Sequence, residues 1–527
     1  MKATQWQSVE LELHSQTTCE NPFLDVRLTV DFVHEGGRAV AVPGFWDGGD
    51  TWKARFAPTE PGEWSWRSRC SNAGDGGLNG HSGAIRAIAP DGEAVAANPN
   101  HRGFLRVSGS GRYFEYADGT PFFWLGDTLW FLYTARCDEK TVLPRYIADR
   151  KAKGFTVVQV VAGRPGGGRA DAFWGMDRPH WFQNEAGEPF VKRFDRINPD
   201  YFKLLDRKIA MLLDAGLAPC IMGCWGWDMR IGLDAAKRYW EYLIARYASY
   251  NVIWSGAGEY FFTEDEQGWR ELGRHIKRYD PYGHPLSMHS TAPHSGSRHY
   301  HREPWYDFNM PQVGHVLAFR QQIEQLPLAD YRMDPPKPSV MAESWYENHP
   351  NCEGSEPGRI SAADIRFAAY VSMLQGCVGQ TYGAHGIWNL HEPSDDGLWD
   401  DYHRPDPWRQ DLDLPGSRQM GYLRDAFSRV DWPRLEPMPG NIATPQLTHG
   451  YLAGVPGRCC IAYVTGKRCD VMLFLPVGTQ YQGQWMNPAT GQWQECDLHG
   501  SPYGNWMRWS AATPADGDWV LVAQAAT

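Results

Sequence analysis

The stretch Asn251-Val252-Ile253-Trp254-Ser255-Gly256-Ala257-Gly258-Glu259 is a short apolar run that ends on a carboxylate, and Pro338-Ser339-Val340-Met341-Ala342-Glu343 repeats the pattern. Apolar runs of this length, closed by a small residue, have the texture of strands buried in a parallel sheet. In a (β/α)8 barrel such a strand delivers its last side chains into the mouth where chemistry takes place. Two strand-end glutamates suggest a two-carboxylate hydrolase. Either one alone reads equally well as a salt-bridged or helix-capping residue.

Six further runs of the same kind surround these two. In chain order the set is Phe122-Phe123-Trp124-Leu125 ending at Asp127, Thr156 to Val161, Ala218 to Met222 leading to Trp225, the run ending at Glu259, Leu286-Ser287-Met288 reaching His289, Phe308 to Gln312, the run ending at Glu343, and Val378 to Tyr382 leading to Trp388. Amphipathic stretches fill most of the gaps. Tyr201 to Ala215 carries Leu204, Leu205, Ile209, Leu212 and Leu213 at helical spacing with Gly216 as its stop, and Asp234 to Ser249 and Ala362 to Gln375 behave similarly. Eight strands with intervening helices predict an α/β fold, a TIM barrel over residues 96–432. A doubly wound open sheet is the alternative, but no glycine-rich dinucleotide fingerprint follows the first strand.

The flanks have a different texture. Residues 1–95 alternate apolar and polar, as in Val9-Glu10-Leu11-Glu12-Leu13, with glycine-rich turns between, which predicts an Ig-like β-sandwich. Trp64 and Trp66 fall on one strand there and read as core. Residues 433–527 return to short strands such as Cys460 to Val464 and Val471 to Leu475, a smaller antiparallel β-sandwich.

Composition narrows the partners. A net charge of -11 with no clustered Lys and Arg excludes a nucleic-acid partner. The 25 tryptophans and 24 tyrosines suit sugar binding as well as sandwich cores, and leave room for a homo-oligomer. No apolar run reaches membrane-spanning length and no signal peptide is visible at Met1, so the expectation is a cytoplasmic protein with no membrane partner, unless a leader has been removed. The 11 cysteines lack regular spacing, which suits a reducing compartment. Cys220 and Cys224 have no second ligand pair, so no metal and no cofactor are expected. The histidines at 284, 289, 294, 299 and 301 share no strand or helix face and read as a polar active-site loop.

Three blocks carry a more specific signal: Trp124-Leu125-Gly126-Asp127-Thr128-Leu129-Trp130, Asp307 to His315, and Tyr382-Gly383-Ala384-His385-Gly386-Ile387-Trp388. They resemble, in order, the signature blocks of the apiosidase-like glycoside hydrolases, with an Ig-like module in front and a β module behind. Membership implies a (β/α)8 catalytic domain that hydrolyses a glycosidic bond. Where that pattern places Gly-Gly-Asp after the fourth strand, this chain has Ala257-Gly258-Glu259, an acid one methylene longer. Glu343 to Glu347 matches the acid-plus-aromatic block after strand seven, which brings Tyr346 into the site.

Cleaving a glycoside passes through an oxocarbenium-like state, so one carboxylic acid must protonate the departing oxygen while a second group attacks the anomeric carbon. Glu259 is assigned as acid/base, with its pKa raised by partial burial and the second carboxylate, and Glu343 as the ionised nucleophile. Analogy to the wider clan predicts retention. Asp127, Trp130, Trp225, His289, Asn309, Gln312, His315, Tyr346, Tyr382 and Trp388 are the candidates for binding the substrate. Among the tryptophans Trp225 and Trp388 are favoured over Trp227 as stacking platforms. The loop from Gly163 to Asp195 suggests a pocket closed on one side and exo action on a plant or microbial glycan or oligosaccharide. The alternatives are a pyranoside-specific glycosidase of the same clan, or a non-catalytic carbohydrate-binding protein on a barrel scaffold.

Overall fold

The computed structural model describes residues 1–163, 183–192, 194–398 and 402–526 of the 527-residue chain. Two facing sheets form the N-terminal layer. One, of five strands, runs in the order Lys2–Thr4, Ser82–Ile88, Gly62–Cys70, Leu28–His34, Ala39–Pro43; the other comprises Val9–His14, Thr51–Phe56 and Phe45–Gly48. Alternation along these strands sends Phe32, Phe56 and Trp64 inward, where the two phenyl rings stack with centroids 3.8 Å apart.

The middle of the chain forms a parallel sheet in the order Leu286–Ser287, Ile253–Ser255, Ala218–Met222, Val157–Val161, Trp124–Thr128, Gly379–Tyr382, Val340–Met341. The ends of that order are the fifth and seventh strands of a barrel, and segment 307–313 closes the gap. Asp307 N–H donates to Leu286 O (2.8 Å) on one side, while Val340 N–H donates to Asn309 O and Ala342 N–H to Pro311 O (both 3.0 Å) on the other. This sixth strand therefore runs where the sequence places it, but as isolated bridges and not a continuous ladder. The cause is Pro311, which has no N–H to give.

Helices pack outside the strands. Pro199–Asp214 begins on a proline, buries Leu205, Ile209, Leu212 and Leu213, and stops at Gly216, whose φ of 81° suits glycine. Below the barrel, the strands Leu105–Val107, Phe114–Tyr116 and Pro121–Phe122 bring Phe114 against Trp124 and Phe308, with centroids 5.7 and 5.2 Å away, and plug the end opposite the site.

The C-terminal region pairs a six-stranded with a four-stranded antiparallel sheet. It is fixed to the barrel by Arg366, on helix Ala362–Leu374, which binds both oxygens of Asp518 at 2.6 and 3.0 Å. Beside that pair Tyr370 stacks on Tyr463, centroids 5.0 Å apart. At the other flank, Asp206 of the barrel receives Arg55 of the sandwich (2.7 Å) and Arg246 of helix Leu233–Tyr247 (2.5 Å), and Arg246 also reaches Asp47 (3.0 Å). The two guanidiniums hold the Asp206 carboxyl far below the usual range against the burial that would raise it.

Removing a member of a buried ion network leaves an uncompensated charge and costs about 3–5 kcal/mol. Asp206→Ala is therefore expected to lower the chemical-denaturation midpoint by that amount and to loosen sandwich and barrel together, read as matching shifts in tryptophan fluorescence and in limited proteolysis near residue 90.

Candidate active site

Partners in a parallel ladder share a face, so one inward residue sets the parity of the whole barrel. Gln159 reaches across the interior to Ala342 O, 2.7 Å away, and is paired with Thr128. Thr128 therefore points inward and Asp127 outward. Asp127 is fully buried between sheet and helices, taking Arg150 Nε at 2.6 Å and Tyr146 OH at 2.7 Å. Tyr382, paired with Asp127 on the eighth strand, likewise faces outward and donates to Glu347 Oε2 at 2.6 Å. Asn309 lies outside as well, with its Oδ1 3.1 Å from His301 Nδ1. These three residues thus stand in the layer behind the strands and not in the mouth where the sequence puts them.

Glu343 would share their fate without an irregularity. Asn309 bridges Ser339, yet Gln312 bridges Glu343, so three steps on the sixth strand face four on the seventh. This one-residue bulge reverses the parity beyond Met341 and turns Glu343 inward. There it sits 3.4 Å from His289 Nε2 and 3.4 Å from His315 Nε2. The hydroxyl of Tyr346 lies beside it, close enough for the carboxylate to push that hydroxyl's pKa up, and it accepts Trp130 Nε1–H at 3.1 Å. Burial alone would raise the Glu343 carboxyl; the two imidazoles outweigh it and hold it at about 2.

Glu259 is half-buried and occupies the left-handed region, φ 42° and ψ 51°, which a residue with a Cβ adopts at a cost of about 1–3 kcal/mol. Trp225 Nε1–H donates to its Oε2 (3.0 Å) and Gln312 Nε2–H to its Oε1 (3.2 Å). Gln312 thus spans the site, with its side chain on one glutamate and its backbone bridged to the other. An aromatic wall joins them, since the Trp130 ring meets Trp225 edge-on at 5.4 Å and His289 at 5.8 Å.

The structure accordingly brings together Glu259, Glu343, Trp130, Trp225, His289, Gln312, His315 and Tyr346. Trp388 stands beside them in the wall after strand eight, edge-on to Phe131 at 5.7 Å. Buried Gln312 Oε1, His289 Nδ1 and His315 Nδ1 have no hydrogen-bond partner among the described residues. Sequence reasoning missed Thr128, an inward neighbour paired with Gln159, which no alternation along this apolar strand announces. The five histidines from 284 to 301 disperse: His284 pairs with Asp280 at 3.1 Å, His294 stacks on Phe261, and His299 bonds Tyr260 OH at 3.0 Å. Among the described residues no group of three or more His, Cys, Asp or Glu is placed to hold a metal ion, and no helix is long and apolar enough to cross a membrane. The glycine-rich loop after strand two, from which exo action was inferred, falls largely on residues 164–182, outside the described residues.

The family described as "Apiosidase-like, catalytic domain" matches residues 108–434, and a domain of unknown function, DUF5060, matches residues 2–71. None of the curated proteins compared with the chain matches it. Among solved structures, one titled glycoside hydrolase shares 23% identity over 81% of this chain and 98% of its own, with a TM-score of 0.69. A glycoside hydrolase family 5 protein from Bacteroides vulgatus ATCC 8482 shares 22% over 81% and 94%, TM-score 0.68. A second B. vulgatus structure aligns over 100% of both chains at 20% identity and a TM-score of 0.74. At these identities the likeness is one of fold, and it agrees with a barrel.

Two expectations separate structure from chemistry here. Asp127→Ala breaks a fully buried pair and should cost about 3–5 kcal/mol in denaturant unfolding, with KM unchanged in the protein that remains folded. His315→Ala removes one of the groups that depress Glu343 from the ordinary 4.5 to about 2. Because the depressed group loses its charge only as pH falls through its folded value, the variant's acid limb of kcat/KM should move to higher pH, measured from pH 2.5 to 5.

Proposed function

The chain belongs to the family with an apiosidase-like catalytic domain, and we propose that it is a retaining glycoside hydrolase in which Glu343 is the nucleophile and Glu259 the acid/base. The observation that carries this reading is the contrast between the two glutamates. Glu343 is buried and held ionised by His289 and His315, whereas Glu259 is half-buried and takes the N–H groups of Trp225 and Gln312. A carboxylate kept charged suits attack at an anomeric carbon; a carboxyl on the partly open side of the site suits giving a proton to the departing oxygen and later taking one from water.

In the first step Glu259 gives its proton to the glycosidic oxygen as the bond to the anomeric carbon breaks, and Glu343 forms an ester with that carbon. In the second, Glu259 takes a proton from water, whose oxygen displaces Glu343 and restores the original anomeric configuration. The Tyr346 hydroxyl, beside Glu343, steadies the carboxylate before it attacks and again as it is displaced. Trp130 and Trp225 offer ring faces to the sugar, while Gln312 and the two histidines offer it hydrogen bonds. The substrate is a glycan or oligosaccharide.

A panel of aryl furanosides and pyranosides tests this. Glu343→Gln should abolish release from every member that the wild type cleaves. Glu259→Gln should abolish turnover of poor leaving groups while an activated aryl glycoside still shows its first step. An NMR time course in which the inverted anomer appears first would sink retention, and saturable sugar binding without turnover in the wild type would favour a binding protein.

A further inference from the structure

His315, which flanks Glu343, stands at the head of a column of three imidazoles. Its ring lies 4.2 Å from that of His349, centroid to centroid, and His349 lies 4.3 Å from His385, with planes 35° and 71° apart. All three are buried, with 8, 4 and 2% of their surface exposed. They come from the loops after strands six, seven and eight, and backbone bonds tie those loops together. Cys352 N–H donates to His315 O (2.9 Å) and His385 N–H to Glu347 O (3.0 Å), while Ile360 N–H on His349 O (3.0 Å) folds the middle loop back on itself. The path of the chain therefore sets the column.

A carbonyl oxygen only accepts hydrogen bonds, so a ring nitrogen that faces one carries hydrogen. His349 Nδ1 is 2.8 Å from Pro350 O and His385 Nε2 is 2.9 Å from His403 O, so the backbone fixes the tautomer and tilt of both rings. Burial pushes His349 well below the usual imidazole range and His385 to about 3. His315 and Arg359 press the same way on both, as do His385 on His349 and His391 on His385, and the two carbonyls only partly oppose them. Both rings therefore stay neutral and set no second positive charge beside His315.

His315 is held less firmly by its own contacts. Its Nε2 is 3.4 Å from Glu343 Oε1, at the outer limit of a hydrogen bond, where a small tilt of the ring loses the contact. His289 faces the other oxygen of Glu343 (3.4 Å), and the rings packed on His315 are those of Tyr346 and His349, 4.1 and 4.2 Å away. We infer that His349 is a positioning residue, whose ring braces His315 so that Nε2 stays aimed at Glu343. The inference rests on the assignment of Glu343 as the ionised nucleophile.

Two variants separate the brace from its hydrogen bond. His349→Phe keeps a flat ring and loses the bond to Pro350 O; His349→Gln keeps an N–H donor for that oxygen and loses the ring. Without the brace Glu343 loses part of what depresses it, so it takes up its proton at higher pH. On the panel substrate that the wild type cleaves best, the acid limb of kcat/KM should rise by about one pH unit in His349→Gln and by less than about 0.3 in His349→Phe. His315→Ala should share one limb with the double variant His315→Ala/His349→Gln, since the second change acts only through the first. A limb that moves in neither single variant, that moves as far in His349→Phe as in His349→Gln, or that shifts further in the double variant overturns the brace. Crystal structures of the two variants read the brace without turnover. His315 Nε2 should leave Glu343 in His349→Gln and keep its 3.4 Å place in His349→Phe. If it stays in both, the brace is overturned, whereas a wild type inactive on every substrate would overturn the hydrolase reading alone.

Discussion

Everything at the site depends on how the sixth and seventh strands pair. A closed barrel has no edge on which to hide a proline, yet Pro311 sits in the middle of the sixth strand and withholds one ladder bond. The pairing there survives as isolated bridges, and within it the seventh strand takes up one extra residue before Glu343. A bulge that would weaken an ordinary sheet here turns a carboxylate from the helix layer into the mouth. The irregular pairing and the site are the same feature seen from two sides.

The two glutamates show how one scaffold gives like groups unlike chemistry. Glu343 is flanked by His289 and His315, drawn from the ends of two other strands, which no local sequence change can assemble at once. Glu259 instead carries backbone strain, with its left-handed φ tolerated because Trp225 and Gln312 fix its side chain and the glycines on either side of the loop junction let the chain pass.

Much of this was legible in the sequence, and what was missed has one physical source. The barrel, the flanking sandwiches and both strand-end glutamates follow from apolar runs, spacing and turn residues. Parity does not, because a strand in a parallel barrel is apolar on both faces and offers no alternation to read. Asp127, Asn309 and Tyr382 were placed in the mouth for being polar near strand ends; each is one residue out of step and serves a buried network behind the sheet. His289, Gln312 and His315 fall on the inner side. Nothing in the order of residues announces that two short turns will stack Trp227 on Phe262.

The charge cluster at Asp206 bears on how the chain is made. Arg55 holds Glu10 within the sandwich at 2.8 Å, but finds its other partners 151 and 191 residues further along the chain, on two different barrel helices. At ribosomal speeds of about 5–20 residues per second, the first of those helices follows roughly 8–30 s later. Throughout that interval the N-terminal sandwich can bury Phe32, Phe56 and Trp64, but the face that carries Arg55 and Asp47 stays wet. The sandwich therefore emerges as a half-finished domain whose last surface is completed only by the barrel that follows it.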